Sequence, residues 1–299
     1  MTKYVLSLDG GGVRGLATSV FLHELEKEIG KPLSSKFDLV VGTSTGGIIA
    51  LVVSVLEIKG PRLLEIYSEK NLKKIFTKSF SSLFRTKYNG HKKMEVMYDY
   101  FGSLKMSSSD TPCSIVTYNL NTRFPEIFSE RNHPEVSVAD IAAATSAAPT
   151  YFPAVQIGEN WYVDGAVSTN NPALIAFTEA KKLFPEDQVK VLSIGTGFNN
   201  NFIDGSRAKN WGSLSWLRGG IIPMLLESNL EHQLSEKIIG ENYFRVDSNL
   251  NETTTQIDIK SMNNLERMSE MGHKWWAKYM KASLAVSYTH LTLPTMLWV

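Results

Sequence analysis

Ser44 sits in Gly42-Thr43-Ser44-Thr45-Gly46, a serine among small residues at a spacing that can offer its hydroxyl to a substrate. G-x-S-x-G becomes a nucleophile elbow when a strand runs into it and a helix leaves it. The flanks fit: Phe37 to Val41 is apolar except for Asp38, and Gly47 to Val53 is small and aliphatic. The chemistry of such a serine is acyl transfer. Its oxygen attacks a carbonyl carbon, and N–H groups at the start of the following helix face the negative charge that develops. The apex residue has a strained backbone, so its neighbours must be tiny; Gly42, Gly46 and Gly47 meet that demand. A Gly/Ser/Thr loop without chemistry is the competing reading of the pentapeptide alone.

A serine hydroxyl needs a base to take its proton. Of the six histidines, His23 lies in a helical pattern and His290 in an atypical C-terminal segment. His91, His133, His232 and His273 lie in stretches with no recognisable catalytic context. Asp164 is better placed: it ends the run Trp161-Tyr162-Val163 and enters Gly165-Ala166. Functional groups of α/β sheets gather at the carboxyl ends of strands. A carboxylate is a weak base in water, but partial dehydration raises its proton affinity. An ordinary Asp-Gly turn is the alternative for Asp164. A Ser-His-Asp esterase using His232 or His273 is the alternative for the whole site.

Asp9-Gly10-Gly11-Gly12-Val13-Arg14-Gly15 follows an earlier strand pattern and opens a helix. Gly10, Gly12 and Gly15 fit the dinucleotide fingerprint G-x-G-x-x-G, which also wants an acid at the end of the second strand. Asp38 lies instead near the start of that strand. The other reading is an oxyanion hole, with unobstructed glycine N–H groups next to a helix N-terminus and Arg14 steadying the loop or an anionic headgroup. A tight turn with no ligand is the third. The serine elbow on the next strand favours the oxyanion.

The elements that must carry these groups alternate. Strands are expected at Tyr4–Leu8, Phe37–Val41, Cys113–Tyr118, Glu126–Phe128, Trp161–Val163 and Val189–Ile194. Helices are expected at Leu16–Ile29, Gly46–Glu57, Val138–Ala144 and Pro172–Leu183. Such alternation predicts an α/β fold, a mostly parallel sheet in a three-layer α/β/α domain. With 299 residues, 43% of them hydrophobic, one domain can bury a large core. A net charge of +1 gives no global case for a nucleic-acid polymer as partner. A lone Cys113 excludes an internal disulfide framework and a cysteine zinc site, and it suits a reducing compartment. With no signal-peptide pattern at the N-terminus and no apolar run of roughly 20 residues, the expectation is a cytoplasmic protein, peripheral at the membrane.

Taken together, Asp9–Gly15, Gly42–Gly46 and Asp164-Gly165-Ala166 resemble, in order and separation, the motifs of the patatin-like phospholipase family. The similarity runs from Met1 to about Ala285. Ala144-Thr145-Ser146-Ala147-Ala148-Pro149 and Asn171-Pro172 are lesser matches, as are Trp211-Gly212 and Trp216. The resemblance implies a patatin fold and a serine hydrolase acting on acyl esters of phospholipids or other glycerolipids, without metal or other cofactor. It implies Ser44 as nucleophile and Asp164 as its base, with N–H groups around Gly10, Gly11 and Gly12 as the oxyanion hole, supported by Arg14. Asp164 is followed by Gly165-Ala166 where many members have Gly-Gly, a difference of one methyl group. Residues from about 286 to 299 look like translated adaptor sequence and are expected to lie outside the domain.

Residues 70–93 hold eight cations (Lys70, Lys73, Lys74, Lys78, Arg85, Lys87, Lys92 and Lys93) and no acid. Phe76, Phe80, Phe84 and Tyr88 recur every four positions, so a helix would align them in a stripe. A basic face beside an aromatic one predicts an interfacial or lid segment on anionic lipid; packing on the domain with solvated lysines is the alternative. Some bacterial members of the family are membrane-degrading effectors switched on by cyclic nucleotides, and the basic segment could hold such a ligand. The apolar stretch Trp211–Leu226 is expected either to line an acyl groove or to be a core helix.

Overall fold

Along β1 (Thr2–Leu8) successive side chains enter opposite layers: Leu6 and Leu8 join one apolar cluster and Val5 the other. The period of two that alternates faces along a strand therefore has hydrophobic partners on both sides, which is the condition for a buried parallel strand. The computed structural model describes residues 1–56, 61–80, 86–199, 205–212, 215–216, 230–250, 258 and 260–287. Its strands continue with β2 (Leu39–Thr43), β3 (Cys113–Asn119), β4 (Phe124–Ser129), β5 (Val155–Ile157), β6 (Asn160–Asp164), β7 (Gln188–Ile194) and β8 (Tyr243–Val246). The sheet order is β5-β6-β3-β2-β1-β7-β8, with β4 also on β3. β3, β2, β1, β7 and β8 are mutually parallel, so the fold is mixed α/β with a mostly parallel centre.

The helices are α1 (Gly15–Ile29), α2 (Thr45–Val55), α3 (Pro61–Glu65), α4 (Glu69–Ile75), α5 (Gly90–Phe101), α6 (Val138–Thr145), α7 (Ala173–Leu183), α8 (Gly205–Ala208), α9 (Leu230–Ile239) and α10 (Met262–Ser287). α7 covers one face of the sheet through Ala173, Ala176 and Ala180, together with Ile239 of α9. α1, α2, α4, α5, α6 and α10 cover the other. The expected elements are present within a few residues of their bounds. α3, α4, α5, α8, α9, α10, β5 and β8 are additional.

The strand at Trp161–Val163 differs in direction from what a uniformly parallel sheet would give. β6 is antiparallel to β3. β3 gives one edge to β4 over Ser114–Asn119; its other edge is shared by β2, up to Thr43 opposite Val116, and by β6, which ends with Asp164 opposite Thr117. β2 and β6 therefore run head-on toward each other along β3.

The aromatic stripe is also revised. α4 ends before Phe76, whose ψ of 38° leaves the helix. Lys78 and Tyr88 then form an isolated antiparallel bridge, and Asn89 caps α5 by accepting the His91 N–H. Phe76 and Tyr88 are buried in edge contact at 5.1 Å, Phe80 is fully exposed, and Phe84 lies outside the described residues. So do residues 217–226 of the second apolar stretch and residues 288–299 of the atypical tail. No described helix is long and apolar enough to cross a membrane.

α10 approaches α1 so closely that a Cβ on Gly272 would meet Ala17 O at 2.6 Å and Val20 Cβ at 2.7 Å. Backbone cannot yield as a side-chain tip can, so Gly272→Ala should destabilise the fold by about 1–3 kcal/mol. Gly205→Ala, where a Cβ meets nothing within 4 Å, should stay within about 0.5 kcal/mol of wild type. Urea unfolding of the two variants checks this.

Candidate active site

Ser44 is the hinge between β2 and α2, with φ 55° and ψ −124°. A non-glycine residue is strained there, and two contacts hold it. Its N–H donates to Thr145 Oγ1 at 2.9 Å, and that hydroxyl donates to Val116 O at 2.6 Å. Gly46 lies against the carbonyls of Leu8 and Asp9, where a Cβ would overlap backbone.

Asp164 arrives from the opposite direction on β6. Its N–H donates to Ala147 O at 3.1 Å, and its Oδ1 accepts the Ala166 N–H at 2.9 Å. Oδ2 accepts the Ser44 hydroxyl at 2.6 Å. Gly165 must lack a side chain because a Cβ would overlap Val116 O. Ser44 is 8% and Asp164 3% exposed. Burial pushes Asp164 up to about 6 against the pull of the Ser44 hydroxyl, the Ala166 N–H and the Lys93 charge.

The glycine turn is braced from behind. The Gly10 N–H donates to Asn170 O at 3.1 Å and Gly10 O accepts from Thr196 Oγ1 at 2.7 Å. Gly10 therefore has no free amide to offer an oxyanion, which corrects that expectation. Glu231 of α9 holds the Asn170 loop by accepting the N–H groups of Asn170 and Asn171 at 3.2 and 2.7 Å. Arg14 is buried and its Nε–H points to Gly11 O at 3.4 Å, so it steadies the turn and does not line the pocket. The Gly11 and Gly12 amides have no partner among the described residues, and Gly12 and Val13 do line it. Asp9 is clamped by Arg245, which spans both carboxylate oxygens at 2.9 and 2.5 Å and also reaches Asp247 at 2.6 Å.

Ser44 and Asp164 open onto a mostly apolar pocket of about 620 Å³, solvent at its mouth included, walled by Ile48, Leu72, Ile75, Phe76, Met97 and Phe152. Part of the basic segment is thus pocket wall. Its lysines are mostly matched by acids from elsewhere. Lys73 pairs with Glu69, Lys74 with Asp99 and Glu95, Lys87 with Asp258, and Lys92 with Glu95, while Lys78 and Phe80 are exposed. Lys93 is the residue that the charge pattern misassigned: it is 2% exposed and lines the pocket. A signal for it exists in the spacing of Lys93, Val96, Met97 and Phe101, the buried face of α5.

Among the described residues no histidine lines the pocket. His232 Nδ1 lies 3.2 Å from the Tyr243 hydroxyl, and His273 faces Glu24 at 3.7 Å. The dinucleotide reading lacks its acid, since Asp38 is held by Lys3 and the Tyr4 N–H at the start of β2. The Cys113 thiol is buried and pushed up to about 12, far from a reactive thiolate. No cluster of described residues could hold a metal ion.

A three-layer fold with a serine turn, a buried carboxylate and an apolar pocket is that of an acyl hydrolase. The patatin-like phospholipase family model matches residues 6–177. The cGAMP-activated phospholipase of Pseudomonas aeruginosa is 30% identical over 285 residues, covering 90% of this chain and 84% of the relative. Patatin-like protein 2 of Arabidopsis thaliana is 31% identical, covering 90% and 81%. The structure of VipD from Legionella pneumophila has the same fold, with a TM-score of 0.58 at 12% identity, covering 94% of this chain and 67% of that one. The chain belongs to the patatin-like phospholipase family and is a lipid acyl hydrolase.

The Asp164 geometry has a stability signature. Its folded value of about 6 exceeds its ordinary 3.8, so the folded chain binds the proton more tightly than the unfolded one. Stability must then fall as pH rises from 3.8 to about 6 and stay at the lower level above that. The difference is about 3 kcal/mol at most. Asp164→Asn should therefore be more stable than wild type at pH 7.5, with the advantage disappearing near pH 4 (roughly the ordinary carboxylate value), as read by thermal unfolding at the two pH values.

Proposed function

We propose that Ser44 is the nucleophile and Asp164 the base of a phospholipase A-type reaction on acyl esters of phospholipids or related glycerolipids. The direct hydrogen bond from the Ser44 hydroxyl to Asp164 Oδ2 at 2.6 Å carries the reading. Asp164 takes the Ser44 proton as Oγ bonds to the ester carbonyl carbon. The amides of Gly11 and Gly12, next to the pocket, receive the resulting oxyanion. Collapse breaks the bond to the lipid alcohol, which leaves with the proton from Asp164, and the acyl group remains on Ser44. Water then gives a proton to Asp164 and attacks the acyl carbon. The fatty acid departs and Ser44 recovers its proton. The apolar walls suit the acyl chain, and no step calls for a metal or other cofactor.

Ser44→Ala and Asp164→Asn should each lower phospholipid hydrolysis by roughly a thousandfold or more in folded protein. A fluorophosphonate should label Ser44 in the wild type. Asp164 must be ionised to act, so kcat/KM should rise with pH through about 6. Hydrolysis retained by Asp164→Asn would refute the dyad.

The substrate class supports peripheral membrane contact, and exposed Phe80 beside exposed Lys78 is the part of the former basic face best suited to it. Lys73 and Lys74 are engaged by acids and contribute less. Lys78→Glu should reduce hydrolysis of anionic phosphatidylglycerol vesicles by roughly fivefold or more, the equivalent of about 1 kcal/mol per basic residue, and leave a soluble short-chain ester unaffected. An unchanged vesicle rate would remove this face from the proposal.

Regulation by a cyclic nucleotide is a second reading, supported by the name of the 30% identical Pseudomonas relative, a cGAMP-activated phospholipase. Hydrolysis measured with and without a panel of cyclic di- and trinucleotides tests it; stimulation by one of them is the expected result and none by any is the refuting one.

A further inference from the structure

The pocket contains one cation among its described lining residues, and it is a buried one. Lys93 Nζ donates to Ala143 O at 2.8 Å and to Ser146 Oγ at 3.3 Å. It also lies 4.3 Å from the centroid of the Phe152 ring. Ala143 and Ser146 belong to the C-terminal turn of α6, where exposed carbonyls favour a positive charge, and an aromatic face adds to that preference. The same short segment holds both proposed reacting groups: Thr145 receives the Ser44 N–H and Ala147 O receives the Asp164 N–H.

We propose that Lys93 is a positioning residue for the base: its ammonium, fixed to the C-terminal turn of α6, keeps Asp164 anionic beside Ser44. This rests on the dyad reading above. Other groups near Asp164 do not supply that charge. Tyr67 is tied to Thr45 Oγ1, and burial raises both it and Tyr151, so neither ionises near neutrality. Asp9, on the far side of the glycine turn, is paired with Arg245, which also holds Asp247. Lys74 pairs with both Glu95 and Asp99, and Asp140 of α6 accepts from exposed Tyr98.

Burial lowers Lys93 to about 7 while Asp164 pulls it upward, and Lys93 in turn lowers Asp164. Below pH about 7 the ammonium therefore resists protonation of the base. Well above it Lys93 is neutral, and Asp164 is ionised without help. The influence of Lys93 on the base is confined to the acid side.

The test is kcat/KM for a soluble p-nitrophenyl ester from about pH 5 to 9, a range spanning the two buried groups, in wild type, Lys93→Met, Lys93→Gln and Lys93→Arg. The acid midpoint of Lys93→Met should move upward by roughly half a pH unit or more. The ratio of wild-type to variant kcat/KM should then be at least about twofold larger near pH 6 than near pH 8.5. Lys93→Arg should keep the wild-type midpoint. Lys93→Gln retains a donor without the charge, so it should shift as Lys93→Met does and serves if the latter fails to fold. A rate loss uniform in pH, with an unmoved midpoint in the charge-free variants, would make Lys93 merely structural and overturn the proposal. An active Asp164→Asn enzyme would instead overturn the dyad, whereas a dead one with an unmoved Lys93→Met midpoint would overturn only the role of Lys93.

Discussion

The meeting of β2 and β6 end to end on one edge of β3 is the constraint on which the rest of the site depends. Because Thr43 pairs with Val116 and Asp164 with Thr117, neighbouring positions on β3 decide where the serine and the carboxylate arrive. Two strands cannot occupy the same stretch of edge, so each must turn away at the point of contact. β2 turns through Ser44 into α2, and β6 turns through Gly165 into a short 3-10 helix. The turns point the hydroxyl and the carboxylate at each other. Val116 O marks the junction: it accepts from Thr145 and leaves no room for a side chain at position 165.

Keeping a carboxylate dry opposes stability, and the fold tolerates it by fixing everything around it. Asp164 has two acceptor oxygens and each has a donor, the Ser44 hydroxyl and the Ala166 N–H. Those bonds do not cancel the burial, since the proton affinity remains raised. In the proposed dyad that imbalance has a chemical use. A base near its usual carboxylate value would be a poor match for a serine hydroxyl at neutral pH, and one raised by dehydration is a better one. The strained backbone at Ser44 follows the same logic, because strain persists only where surrounding bonds over-determine it.

Much of this was legible in the chain. The apolar run from Phe37 to Val41, the small residues around Ser44 and the aliphatic stretch after Gly46 required a strand, a sharp turn and a buried helix, and those form. Strand direction was not legible at Trp161–Val163, because side-chain alternation is the same for a parallel and an antiparallel strand; β6 takes its direction from pairing with β3 and β5. The role of Gly10 was equally hidden, since Asn170, which engages its amide, lies 160 residues away. In the basic segment a charge count outweighed periodicity. The acids that neutralise Lys74 and Lys87 lie beyond the window, at Glu95, Asp99 and Asp258. Lys93 carried a helical signature, three, four and eight positions before Val96, Met97 and Phe101, that assigned it inward.

The long connection from β2 to β3 divides the labour of the molecule. The sheet and its turns supply Ser44, Asp164 and the glycine turn, each fixed by backbone contacts that a change of size would disrupt. The connection supplies the surroundings: Ile48 from α2, Leu72 and Ile75 from α4, Lys93 and Met97 from α5. These wall residues touch the pocket through side chains, and those of α4 and α5 make no backbone bond to Ser44 or Asp164 among the described residues, whereas Ile48 at the start of α2 donates its N–H to Ser44 O at 3.1 Å. Changes in acyl-chain length or pocket polarity can thus accumulate in α4 and α5 without altering the register on β3. Lys93 is the exception among the wall residues. It is carried by the variable connection yet bonded to the α6 turn that orients both Ser44 and Asp164. Under the proposed roles, a substitution there reaches Ser44 and Asp164 through charge and position at once, which couples the shape of the pocket to the protonation of Asp164.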